Sequence, residues 1–153
     1  MILPTLQIRG SIAAPWTEET RQQLRAFWSA RRFRFSDTPS GTLFATRGHL
    51  LWNLIAFDMA RLPAELSISS TQSGHLDLAM VVHTAFQQIT EWNRAFWELE
   101  MASCESFLLH GDKRDTEWLA FRKANRKATI IWTFTFTLGG RKMPKNKAAK
   151  PNA

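Results

Sequence analysis

Four histidines and one cysteine are the side chains of this 153-residue sequence that could support metal or nucleophilic chemistry. No two histidines are four residues apart, which is the spacing that places two metal ligands on one helical face. His75 and His83 could share a strand face, but eight residues of strand separate them by about 27 Å at ~3.3 Å per residue. Cys104 shares an apolar helical face with Leu108, which is typical of a buried, unreactive thiol. The sequence therefore predicts no metal site and no nucleophile.

Three glutamates, Glu91, Glu98 and Glu105, recur every seven residues in a region with helical periodicity. Neighbouring members of this series would lie about 10.5 Å apart at 1.5 Å per residue, too far for two carboxylates to share a proton. The series predicts a solvated stripe. Neither a glycine-rich phosphate loop nor a nucleophile elbow occurs in the sequence. We therefore predict no catalytic residue and no cofactor, and the sequence favours a binding module over an enzyme.

The first half of the chain predicts one helix followed by several strands. A short strand begins at Leu6, and Thr17 is a good N-cap for a helix that buries Leu24, Phe27 and Trp28. The stem of Arg31 extends that face. Five segments then alternate in polarity or are apolar throughout, as strands do, with turn residues between them: 33–35, 42–47, 50–57, 66–69 and 76–82.

A second helix of roughly 20 residues is predicted after these strands, with Thr90 as its N-cap and Gly111 just beyond its end. Its apolar face is wide enough to need a large partner surface, and an open sheet is the obvious one. The predicted fold class is therefore α+β, with an antiparallel sheet of about six strands packed on a long helix, one short N-terminal helix and a basic C-terminal extension.

This order of elements over residues 5–110 resembles the helix-grip architecture of the START-like and Bet v1-like superfamily, in which a curved antiparallel sheet wraps a long helix. The chain differs in having room for one helix after the first strand where that superfamily usually has two. The resemblance implies an apolar or lipidic ligand between sheet and helix. The candidate pocket residues on the predicted helix are Trp92, Phe96, Trp97 and Leu99.

Positive charge is concentrated at the C-terminal end. Residues 1–112 hold 9 arginines, no lysine and 11 acidic residues, whereas residues 113–153 hold 11 basic and two acidic residues. We therefore divide the chain into an α+β domain (1–112), a basic helix with an apolar strand-like stretch (113–140) and a disordered basic tail (141–153). Such asymmetry favours an anionic partner for the extension.

The extension combines basic and apolar residues. Thr116 could cap a short helix from Glu117 that places Trp118 and Phe121 on one side. The candidate contacts to an anionic surface are Arg122, Lys123, Arg126, Lys127, Arg141, Lys142 and Lys145. Residues 130–138 alternate apolar and β-branched side chains, which predicts a strand at the sheet edge or in a homodimer.

The same stretch also suits a membrane interface. As a helix, residues 128–140 would span ~20 Å, short of the ~30 Å hydrocarbon core. Cations flank its candidate interfacial anchors, Trp132, Phe134 and Phe136. The two interpretations do not exclude each other.

These patterns lead to two functional expectations. The first is a binding module, START-like in outline, that holds an apolar small molecule or lipid or associates with an anionic membrane surface. The alternative is a nucleic-acid-associated protein that uses the basic arm. No secretory signal and no apolar run of ~18–20 residues is found, so a cytoplasmic location, peripheral to the membrane, is expected.

Overall fold

The computed structural model describes residues 5–36, 41–49, 58–84 and 90–124. Along the chain it contains β1 (Thr5–Ile12), α1 (Glu18–Ala30), β2 (Arg34–Ser36), β3 (Leu43–Arg47), a short 3-10 helix (Met59–Arg61), β4 (Ala64–Ser70), β5 (Leu76–His83) and α2 (Glu91–His110). Residues 115–124 form a further helix, α3.

The described strands form one antiparallel sheet in the order β1-β5-β4-β3-β2. The predicted α+β class and the antiparallel sheet are confirmed, whereas five strands are found in the described residues where about six were predicted. The predicted strand over 50–57 lies outside those residues.

Alternation in the sequence sets which face of the sheet is buried. In β5 the predicted inward residues Leu76, Leu78, Met80 and Val82 are all buried. The register places Met80 opposite both Ile8 of β1 and Leu66 of β4, and these two are buried as well. On the opposite face the described side chains are mostly polar or small. None of those in β3, β4 and β5 is buried, Phe44 and Val81 included, so one face of the sheet forms the core.

The first helix follows its sequence pattern closely. The Thr17 hydroxyl accepts a hydrogen bond from the backbone N–H of Thr20, which satisfies one of the free donors at the helix start. Leu24, Phe27 and Trp28 are fully buried, as predicted. The helix therefore contributes its aromatic face to the core and leaves its opposite face in solvent.

Both predicted ends of the second helix are confirmed. Thr90 and Asn93 form a reciprocal capping box at its start, and Gly111 ends it in the left-handed conformation with φ of 74°. A glycine adopts this conformation without the Cβ clash that other residues incur. Phe96 and Trp97 of α2 belong to the same buried cluster as the sheet residues, so helix and sheet share one core.

Helix α3 also joins that cluster, through Trp118, which is 8% exposed. It begins at Asp115, so the prediction of Thr116 as its N-cap is wrong; the N–H of Trp118 donates to the carbonyl of Arg114. The division at residues 112 and 140 stays a prediction. Within the described part of the chain, no helix has the length and apolarity needed to cross a membrane.

Candidate functional site

A buried ion pair joins the sheet to α2. Nη1 and Nη2 of Arg47 donate to the two carboxylate oxygens of Glu100 over 2.7 and 2.9 Å. Glu100 is 0% exposed and Arg47 is 3% exposed. Because the surroundings are dry, each charge depends on the other to offset its desolvation.

The backbone after Arg47 lets its side chain reach that position. Gly48 has φ of +79°, and a Cβ there would lie 2.3 Å from the carbonyl oxygen of Arg61. Only glycine therefore permits the loop to pass this close to the chain before β4. The guanidinium of Arg47 lies 4.5 Å from the Phe33 ring centroid, and Nη1 also reaches the carbonyl of Arg31 at 3.3 Å.

Glu100 also accepts a hydrogen bond from α3. Nε1 of Trp118 donates to Glu100 over 3.1 Å. At the start of this segment, Arg31 at the end of α1 donates to the carbonyl of Lys113 at 2.9 Å and to Asp115 at 3.1 Å. The Arg31 guanidinium also stacks 3.7 Å from the ring centroid of Phe27. Burial lowers the pKa of Arg31, and the charges of Glu100 and Asp115 oppose that shift.

A further ion pair fixes the other end of α3. Arg122 donates through Nε and Nη2 to the two oxygens of Asp58 over 3.2 and 2.5 Å. Burial favours a raised pKa for Asp58, but the hydrogen bond and charge of Arg122, together with the N–H of Ala60 and the charge of Arg61, outweigh it and hold that pKa below its usual value. We name three contacts the C-terminal anchor: Arg31 with Lys113 and Asp115, Trp118 with Glu100, and Arg122 with Asp58.

Replacing Arg122 with glutamine is expected to lower the free energy of unfolding by about 1–2 kcal/mol, because Asp58 loses a charge-assisted bidentate partner. Lys123→Gln is the matched control, since Lys123 is the neighbouring cation on α3 and is exposed. Chemical denaturation of both variants measures the difference. Equal stability of the two would show that the Arg122–Asp58 pair does not hold α3 in place.

The titratable groups of the described residues do not form a catalytic set. Both oxygens of Glu100 are engaged by Arg47 and Trp118. Burial raises the pKa of the Cys104 thiol to about 12, so it stays protonated at neutral pH, which agrees with the predicted unreactive thiol. His83 pairs with Glu65 at 3.0 Å on the outer sheet face. No metal-ligating group of three or more side chains occurs in residues 5–36, 41–49, 58–84 and 90–124.

The predicted pocket residues lie mainly in the core. Phe96 and Trp97 are 0% exposed and Leu99 is half-buried, while the side chain of Trp92 lies outside the described part. A polar recess of about 260 Å³ lies elsewhere, at the start of α2, and is lined by Thr5, Leu6, Thr84, Thr90, Glu91 and Arg94. The pocket prediction stays a prediction; its described members Phe96, Trp97 and Leu99 do not line this recess.

The predicted anionic-surface contacts separate into two groups. Arg122 is engaged by Asp58, whereas Lys123 is exposed. The other candidates all lie outside the described residues, as do the interfacial anchors and the 130–138 stretch: Arg126, Lys127, Arg141, Lys142, Lys145, Trp132, Phe134 and Phe136.

Arg47, Glu100 and Asp58 were not identified from the sequence as site residues. One signal was present for Glu100, which is four residues from both Phe96 and Cys104 and therefore lies on the apolar face of α2. A charge on such a face requires a buried partner. The chain matches no family model, no curated protein and no solved structure, so its function must be argued from its own residues.

Proposed function

We propose that this protein is a non-enzymatic binding module that associates with an anionic membrane surface through residues 125–153, which we call the basic arm. The observation that carries the proposal is the distribution of charge around the C-terminal anchor. Residues 1–124 contain 13 basic and 13 acidic residues, whereas the basic arm contains seven basic residues and no acidic one. The entire net charge of +7 therefore lies beyond the anchored helix.

The C-terminal anchor supports a role for the arm in binding. It attaches α3 to the preceding elements at two points. Asp115 at the start of α3 contacts Arg31, and Arg122 further along contacts Asp58. The last described residues before the arm, which end two residues after Arg122, are therefore held in place. A fixed attachment point lets a body and its arm act on one surface together.

The composition of the basic arm favours a lipid surface over nucleic acid. Residues 128–138 are apolar or threonine, with Arg126 and Lys127 before them and Arg141 and Lys142 after them. Aromatic residues flanked by cations suit the headgroup region, where the rings enter the apolar layer and the cations meet lipid phosphates. A stacking groove for nucleic acid would instead interleave aromatic and basic residues.

An apolar ligand between sheet and helix has less support. Phe96 contacts the rings of Trp97, Trp118 and Phe121 with centroids 5.9–6.0 Å apart. Aromatic side chains that fill the core in this way are engaged with one another rather than with a ligand. The proposal therefore rests on the arm.

Replacing both Arg141 and Lys142 with glutamine is expected to weaken partitioning onto phosphatidylserine-containing vesicles about ten- to thirtyfold, since each such cation contributes up to ~1 kcal/mol near an anionic surface. Vesicle co-sedimentation of the full chain measures this. The matched control replaces Arg94 and Arg114 with glutamine, because Arg94 is already paired with Glu98 of α2 and Arg114 with Glu117 of α3.

Two further measurements separate lipid from nucleic acid. Trp132→Ser is expected to remove the binding that survives at high salt, because burial of an indole in lipid is not screened. The affinity for double-stranded nucleic acid would instead fall steeply as the salt concentration rises, and Trp132→Ser would not change it. Salt-sensitive nucleic-acid binding without any vesicle binding would reject the membrane proposal.

A further inference from the structure

Three arginines without an ion pair among the described residues lie where α1 contacts β2, the last strand in the order of the described sheet. Arg32 and Arg34 are exposed, and exposed Arg25 of α1 lies 5.3 Å from the ring centroid of Phe35. None of the three arginines forms an ion pair with another described residue, whereas Arg94 and Arg114 each contact a carboxylate. We call Arg25, Arg32 and Arg34 the β2 patch.

The local backbone conformation and strand pairing do not explain why Arg32 and Arg34 are arginines. Arg32 has φ of 70°, a left-handed conformation in which glycine or asparagine is favoured over a long side chain. Arg34 pairs with Thr46 of β3, so the residue directly across the ladder from it carries no charge. An anionic surface at this side of the sheet would supply counter-charges that the described residues do not give these guanidinium groups.

The β2 patch includes the residue directly after the one that holds the start of α3. Arg32 directly follows Arg31, whose guanidinium bonds to Asp115 at the start of α3. The described part of α3 covers residues 115–124, about 15 Å at 1.5 Å per residue. The patch and this part of α3 are therefore linked through Arg31, and the basic arm follows α3 in the sequence.

We propose that the β2 patch binds phospholipid headgroups of the same anionic membrane that the basic arm contacts, an inference that rests on the proposed function. Guanidinium groups bind phosphate oxygens through two parallel hydrogen bonds, which suits them to headgroup contacts. Stacking of Arg25 on Phe35 restricts its side chain before binding and reduces the entropy lost on contact. The body then meets the membrane at its β2 edge.

The full chain carrying Arg34→Thr, compared with Arg9→Thr, tests the proposal. Both arginines are exposed strand residues without an ion pair among the described residues, but Arg9 lies in β1, at the other edge of the sheet. Four strand spacings of ~4.8 Å separate the two edges. Partitioning onto phosphatidylcholine vesicles with and without phosphatidylserine is measured for each variant.

Arg34→Thr is expected to lower partitioning about fivefold, and Arg32→Asn with Arg34→Thr about twentyfold, while Arg9→Thr stays within about twofold of the unmodified protein. Asparagine and threonine suit the left-handed and strand positions, so folding is retained. Thermal unfolding of each variant verifies this.

The possible outcomes separate the two proposals. If Arg34→Thr and Arg9→Thr bind alike while the Arg141 and Lys142 variant binds weakly, the β2 patch is rejected and the arm is retained. If the unmodified protein does not bind phosphatidylserine vesicles, both proposals are rejected. If the patch variants lose binding to double-stranded nucleic acid only, the patch has a different partner and the membrane assignment is overturned.

Discussion

Replacing Glu100 with alanine is expected to lower the free energy of unfolding by about 3–5 kcal/mol, the range for removing one member of a buried ion pair. The loss leaves the guanidinium of Arg47 inside the core without a counter-charge, and it also removes the acceptor for Nε1 of Trp118. Urea denaturation followed by circular dichroism measures the change.

Two controls identify the cause of that loss. Glu105→Ala changes an exposed glutamate on the same helix and is expected to alter stability by less than about 0.5 kcal/mol. The double variant Arg47→Met with Glu100→Leu is expected to recover most of the stability, because no buried charge is then left unpaired. If the double variant is no more stable than Glu100→Ala, packing rather than charge accounts for the effect.

Replacing Phe96 with alanine is expected to cost about 3–5 kcal/mol, the range for removing a buried large aromatic side chain. Phe96 is 0% exposed, and its ring joins α2 to α3 through Trp118 and Phe121. The truncation therefore opens a cavity between two helices.

Leu119→Ala is the control for this cavity, since Leu119 is on α3 but 55% exposed. It is expected to change the free energy of unfolding by less than about 0.5 kcal/mol. A cost below 1 kcal/mol for Phe96→Ala would contradict the placement of α3 against α2.

Local patterns in the sequence identified most of the elements. The N-caps Thr17 and Thr90 and the terminating Gly111 all act as predicted, because capping depends on residues within one turn. Alternation in β5 identified its buried face because side-chain direction in a strand reverses at each residue. These signals are short-range, and so a single sequence is enough to recognise them.

The sequence did not identify the pairing that joins distant elements. Glu100 on the apolar face of α2 indicates that a buried cation is needed. The sequence alone does not show which of the nine arginines before it is that cation. Only the antiparallel register of β3, and the approach of Gly48 to Arg61, bring Arg47 to Glu100. The contacts of the C-terminal anchor could not be predicted either, because their donors and acceptors come from four separate segments of the sequence.

The pairing of β1 with β5 has a consequence for synthesis of the chain. Thr5 pairs with His83, about eighty residues later, so among the described strands β1 has no sheet partner until β5 has been synthesised. At ~5–20 residues per second this interval is about 4–16 s. During that time Ile8 and Ile12, both buried in the folded protein, are exposed to water and accessible to a chaperone. Closure of the sheet is therefore a late, non-local step, and slow translation prolongs the period in which nascent chains can associate through β1.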